Sequence, residues 1–128
     1  KIAGTTRRAL EAAVSKLAHN TGLHLVLAIA YGSRQEILDA VNSLVSNAKG
    51  EITEEQLSEA LYTSEIPDPD LIIRTSGEMR LSNFLLWQAA YAELVVTSTL
   101  WPDFRREQFM QAIEEYCGRE RRYGARTS

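Results

Sequence analysis

The sequence predicts an α/β protein with an open, mainly parallel sheet and flanking helices. Three observations carry that expectation. Residues 23–30 run apolar with only His24 interrupting, and the lack of alternation reads as a strand buried on both faces. Residues 70–74 and 94–97 read as two further strands. Stretches of helical spacing separate the three, and strand–helix alternation implies parallel pairing through right-handed crossovers.

Each element has its own local reason. From Thr5 to His19 the apolar positions Leu10, Ala13, Val14 and Leu17 recur at helical spacing, and Asn20-Thr21-Gly22 stops that helix. After the strand at 23–30, Tyr31-Gly32 is a turn. Ser33-Arg34-Gln35-Glu36 has the form of a capping box for a second helix, with Ile37, Val41, Leu44, Val45 and Ala48 on its apolar face and Gly50 at its close. Thr53-Glu54-Glu55-Gln56 is a second such box, opening a short helix with Leu57 and Leu61 inward. Pro67 and Pro69 bar further helix, so residues 64–70 form a loop. The strand at 70–74 follows, ending at Arg74. Ser82 and Asn83 are then expected to cap a helix over 84–90. After the strand at 94–97, Trp101-Pro102-Asp103 is a turn, and Asp103 is placed to cap a last helix carrying Phe109, Ile113, Tyr116 and Cys117 on one face.

The chain has 128 residues and a formal net charge of -3. Residues 51–70 hold seven acids and no base, so the rest of the chain is net positive by 4. That acidic segment reads as a solvated helix and turn. The longest apolar run falls far short of the ~18 residues a membrane span needs. One cysteine excludes a disulfide scaffold and suits a reducing cytoplasm. No export leader is visible, and the acidic balance argues against nucleic acid as a partner. The length alone predicts one domain.

In open parallel sheets, ligands bind beyond the carboxyl ends of the strands. The informative end here is Arg74-Thr75-Ser76-Gly77-Glu78-Met79-Arg80-Leu81-Ser82-Asn83. It gathers two guanidiniums, several hydroxyls and an expected helix N-terminus, and each of these favours an anion. The residue types point to a phosphate or diphosphate pocket. The alternative is that Arg74 pairs with Glu78 or Asp70 and Ser82 only caps its helix. Glu93, set before an apolar strand, needs a cation. An arginine would serve, and so would magnesium, which takes one or two carboxylates with phosphate oxygens and water. His19 and His24 lack metal-ligand spacing, Cys117 reads as inert packing, and no nucleophilic triad is visible.

Residues 70–88, then Tyr91-Ala92-Glu93-Leu94 and Leu100-Trp101-Pro102-Asp103-Phe104, closely resemble the cis-prenyltransferases. Asn20-Thr21-Gly22-Leu23, Ala30-Tyr31-Gly32-Ser33-Arg34 and the basic Arg119-Glu120-Arg121-Arg122-Tyr123-Gly124 are similar to further parts of that family. The resemblance implies sequential cis-condensation of isopentenyl diphosphate onto an allylic diphosphate such as farnesyl diphosphate. The implied product is a long polyprenyl diphosphate such as undecaprenyl diphosphate, a lipid carrier for cell-wall synthesis. It further implies that Arg74, Arg80, Leu81 and Ser82 hold the isopentenyl diphosphate and that Glu93 binds Mg2+. Arg122 and Gly124 would reach the diphosphate site across the interface of a homodimer. The enzyme would be cytoplasmic, with peripheral membrane association through its product and no membrane span.

Two features depart from the family pattern. Ala30 and Ser33 stand where it more often has Asn and Gly. The Asp-Gly-Asn-Gly-Arg motif of the allylic site is absent, as is the helix pair lining the product tunnel. Residues 1–128 therefore resemble the C-terminal portion of a cis-prenyltransferase domain, with no catalytic aspartate, and are expected to be inactive alone. The alternative is a non-catalytic partner subunit of a cis-prenyltransferase heteromer.

Overall fold

A computed structural model of the chain describes residues 3–46 and 50–119. Two units divide the chain at Tyr31–Gly32. In the first, α1 (Gly4–Leu17) forms where the helical spacing predicts it, and the Asn20 N–H closes its end on the Leu17 carbonyl (3.0 Å). The expected strand at 23–30 does not form. The sheet among the described residues has two strands and this stretch is neither, so its backbone has no ladder to join. Leu23 is accordingly 90 % exposed, where the sequence predicts burial.

The second unit holds α2 (Ser33–Val45), α3 (Glu54–Ala60), β1 (Leu71–Arg74), β2 (Glu93–Val96), a 3-10 turn (Trp101–Asp103) and α4 (Arg106–Cys117). β1 and β2 pair in parallel, with Leu71 opposite Glu93 and Arg74 opposite Val96, as the strand–helix order implies. α2 packs on α3 and α4 packs on β2. Among the described residues of this unit, Ala40, Leu61, Val95 and Ala112 are the buried apolar ones.

Local signals succeed where their partners are near in sequence. The capping box of α3 is complete: Thr53 Oγ1 accepts from the Gln56 N–H (3.2 Å), and Gln56 Oε1 accepts from the Thr53 N–H (3.0 Å). The box expected at Ser33 is not. α2 starts after Gly32 without a side-chain cap from its own first turn, because Ser33 and Glu36 both turn to residues further along the chain. Asp103 does not cap α4, which follows Arg105, and Cys117 is exposed rather than packed.

The largest departure is the expected helix at 84–90. Residues 82–91 form successive turns and bends. Ser82, Asn83 and Leu85 have φ of 50°, 64° and 46°, in the left-handed region that a right-handed helix cannot contain.

Candidate functional site

β1 delivers Arg74 to the carboxyl end of the sheet. The loop beyond is fastened to the end of β2: the Thr97 N–H donates to the Arg74 carbonyl (2.9 Å), the Gly77 N–H to the Thr97 carbonyl (2.8 Å) and the Ser76 N–H to the Thr99 carbonyl (3.0 Å). Ser76 and Gly77 take the sharp turn with φ of 75° and 74°, a conformation in which glycine carries little strain. The turn brings the Glu78 carboxylate between the two arginines. One oxygen accepts from Arg74 Nη2 and the other from Arg80 Nη2.

The Arg74–Glu78 pairing that stood as the alternative to anion binding is thus present, but it leaves Arg74 with capacity to spare. The three side chains are 30 %, 38 % and 65 % exposed for Arg74, Glu78 and Arg80, so water screens both ion pairs, each worth about 0–1 kcal/mol. A guanidinium has five N–H donors. Arg74 Nε is buried and has no acceptor among the described residues. Arg74 lines a cleft of about 390 Å³ with Thr75, Ser76 and Arg80 on the polar side and residues including Leu81 and Phe84 on the apolar side. Two arginines and one carboxylate give this corner a formal charge of +1.

The cleft gathers three of the expected substrate-binding residues, Arg74, Arg80 and Leu81. Ser82 is exposed and is not among its lining residues, and with no helix at 84–90 there is no helix N-terminus to bind an anion. Arg122 and Gly124 lie outside the described residues.

Glu93 has the cation it needs. Its Oε2 accepts from Arg119 Nη1 (2.9 Å), and the same guanidinium donates to the Leu94 carbonyl (3.0 Å) and to Glu115. The bonds to the Glu93 carboxylate, foremost, and to that of Glu115 hold the Arg119 guanidinium above its ordinary pKa. The other carboxylate oxygen has no hydrogen bond to a described residue, so Glu93 could contribute one oxygen to a magnesium ion that takes its remaining ligands from phosphate and water. Among the described residues no group of three carboxylate, histidine or cysteine side chains forms a metal cage. Glu93 opens β2 opposite Leu71, three residues short of the Arg74–Val96 pair, or about 10 Å along the sheet at 3.3 Å per residue.

Asn83 and Glu36 stand in the sequence only as local caps, and Gln88 has no role there, yet Asn83 bonds Arg34 and Gln88 bonds Glu36. Those two partners lie 49 and 52 positions away, too far for a periodicity signal. No helix of the described residues is long and apolar enough to cross a membrane.

Residues 1–124 match the model of a prenyltransferase family described as "Putative undecaprenyl diphosphate synthase". The isoprenyl transferase of Heliobacterium mobile is 53 % identical over 129 residues, covering 96 % of this chain and 50 % of that protein. That of Thermotoga maritima is 57 % identical over 104 residues, covering 78 % of this chain and 45 % of the relative. Among solved structures, lavandulyl diphosphate synthase from Lavandula x intermedia, in complex with dimethylallyl diphosphate, superposes with a TM-score of 0.87. It is 35 % identical and matches 93 % of this chain and 54 % of its own. A probable undecaprenyl diphosphate synthase from Campylobacter jejuni gives a TM-score of 0.80 at 36 % identity, matching 98 % of this chain and 59 % of its own. The chain spans about half the length of the curated relatives it matches.

Proposed function

For a chain that belongs to the undecaprenyl diphosphate synthase family of prenyltransferases, we propose that the cleft at Arg74 and Arg80 holds the diphosphate of isopentenyl diphosphate. The observation that carries this reading is Arg74, whose buried Nε has no acceptor among the described residues and whose side chain lines a cleft together with a second guanidinium. A diphosphate would accept from both forks and from the Thr75 and Ser76 hydroxyls, while Leu81 and Phe84 offer an apolar wall to the five-carbon tail. Glu78, already between the arginines, is displaced or shared when the anion enters.

The reaction proposed for the full-length protein is repeated cis-condensation onto farnesyl diphosphate, ending in undecaprenyl diphosphate. In each cycle the allylic carbon–oxygen bond breaks, a carbon–carbon bond forms to isopentenyl diphosphate, and a proton and diphosphate leave. The residues of this chain act by positioning and by opposing charge. Magnesium, when bound, would supply further positive charge to the departing diphosphate, with Glu93 as its proposed carboxylate ligand. Glu93 lies about 10 Å along the sheet from Arg74 by the strand rise, and Arg122 and Gly124 of a second copy of the chain are proposed to complete the diphosphate site. A homodimer, a cytoplasmic location and peripheral association with the membrane through the product belong to the same proposal.

The test is incorporation of labelled isopentenyl diphosphate into extractable polyprenyl products by full-length protein given farnesyl diphosphate and Mg2+. Products of increasing length support the reading. Wild-type protein that neither binds nor incorporates isopentenyl diphosphate refutes it.

A further inference from the structure

A polar seam, exposed at Asn83 and buried at Ser33, Glu36 and Gln88, runs between the start of α2 and residues 83–88. The Ser33 N–H donates to the Asn83 carbonyl (2.9 Å) and the Arg34 N–H donates to Asn83 Oδ1 (2.9 Å). In return, Ser33 Oγ accepts from the Leu86 N–H (3.0 Å). One turn along, Glu36 accepts from Gln88 Nε2 at 3.2 and 3.3 Å and from the Tyr62 N–H at 3.0 Å. Ser33 and Glu36 are fully buried and Gln88 nearly so.

The first N–H groups of an α-helix have no partner inside their own helix. In α2 that partner is Asn83, 49 positions further along the chain, which serves as a helix cap supplied from the site loop. Asn83 directly follows Ser82 and stands three residues beyond Arg80. Ser82 and Asn83 are consecutive left-handed residues without a glycine, a backbone that persists only when its surroundings hold it. The bonds to α2 are such a hold. The fit is close at the helix cap as well, since a Cβ on Gly32, the residue before Ser33, would lie 2.9 Å from Asn83 Nδ2.

We infer that Asn83 is a positioning residue, which fixes the loop carrying Arg80 and Leu81 by capping α2 and so sets the affinity of the cleft for isopentenyl diphosphate. This rests on the reading of the cleft given above. Asn83 acts through Arg80 and need not touch the substrate.

Steady-state kinetics of full-length protein test it, with the two substrates varied separately. Asn83→Ala should raise the KM for isopentenyl diphosphate about tenfold, which is about 1.4 kcal/mol, and leave the KM for farnesyl diphosphate within about twofold. Asn83→Asp keeps the acceptor oxygen and tolerates the left-handed backbone, so it should stay within about threefold of wild type. Gly32→Ala pushes on the Asn83 side chain at its amide nitrogen and should give the same selective rise, which carries the test should Asn83→Ala fail to fold. Equal rises in both KM values, an unchanged KM in the folded variants, or an aspartate as damaging as alanine would overturn the inference. A wild-type protein without affinity for isopentenyl diphosphate would overturn the underlying reading instead.

Discussion

Arg74→Lys separates the role of the guanidinium from that of its charge. Lysine keeps the positive charge but lacks the Nε donor and the planar fork. Nε is buried without an acceptor among the described residues, and such a group costs about 1–3 kcal/mol of desolvation. Removing it relieves that cost, against a screened Glu78 contact worth about 0–1 kcal/mol. The melting temperature should therefore hold or rise. With ligand bound the balance reverses, because a charge-assisted hydrogen bond worth about 1.5–3 kcal/mol is lost. Since the Arg74 side chain is 30 % exposed, the lower end applies, and affinity should fall about tenfold. Thermal melts and calorimetric titration with isopentenyl diphosphate, both on full-length protein, read the two effects. Unchanged affinity would refute the assignment of Nε to the ligand. A substantial loss of stability would show that Nε serves the fold.

Three other outcomes follow from the same geometry. Arg80→Ala should weaken isopentenyl diphosphate binding by about 1–2 kcal/mol, near the floor for a charged hydrogen bond because the side chain is 65 % exposed; a calorimetric Kd equal to wild type would remove Arg80 from the site. Glu78→Gln takes a negative charge from between the arginines, so pyrophosphate should bind about three- to tenfold tighter, on a Coulomb term of about 1 kcal/mol; weaker binding would mean that Glu78 orients the forks rather than competing for them. Glu93→Gln should raise the Mg2+ concentration giving half-maximal activity, whereas an unmoved titration would leave Glu93 as the ion-pair partner of Arg119 alone.

The two arginines were legible because a strand end followed by Arg-Thr-Ser-Gly concentrates anion-binding chemistry within a few residues. The α3 capping box was legible because its partners stand three residues apart, and β1 and β2 were legible as short apolar runs although they pair 22 positions apart. Elsewhere tertiary bonds override the local pattern. Ser33-Arg34-Gln35-Glu36 has the letters of a capping box, yet Ser33 is used by Leu86 and Glu36 by Gln88 and Tyr62. Residues 84–90 have helical composition, but left-handed backbone at Ser82, Asn83 and Leu85 breaks the run, and Ser82 consequently caps nothing. The stretch at 23–30 carries the apolar content of a buried strand, and composition alone cannot supply the hydrogen-bonding neighbours that a strand needs. The cation beside Glu93 was foreseen in kind. Its identity, Arg119, lies 26 positions away and emerges only from the packing of α4 on β2.

The central claim is that one cleft, built on Arg74 and Arg80, receives a diphosphate. A crystal structure of full-length protein soaked with a non-reactive thiolo analogue of isopentenyl diphosphate tests it most directly. The account predicts diphosphate oxygens within hydrogen-bond distance of Arg74 Nε and the Arg80 guanidinium, with the carbon tail against Leu81 and Phe84. An analogue bound elsewhere, with Arg74 Nε still lacking an acceptor, would contradict it.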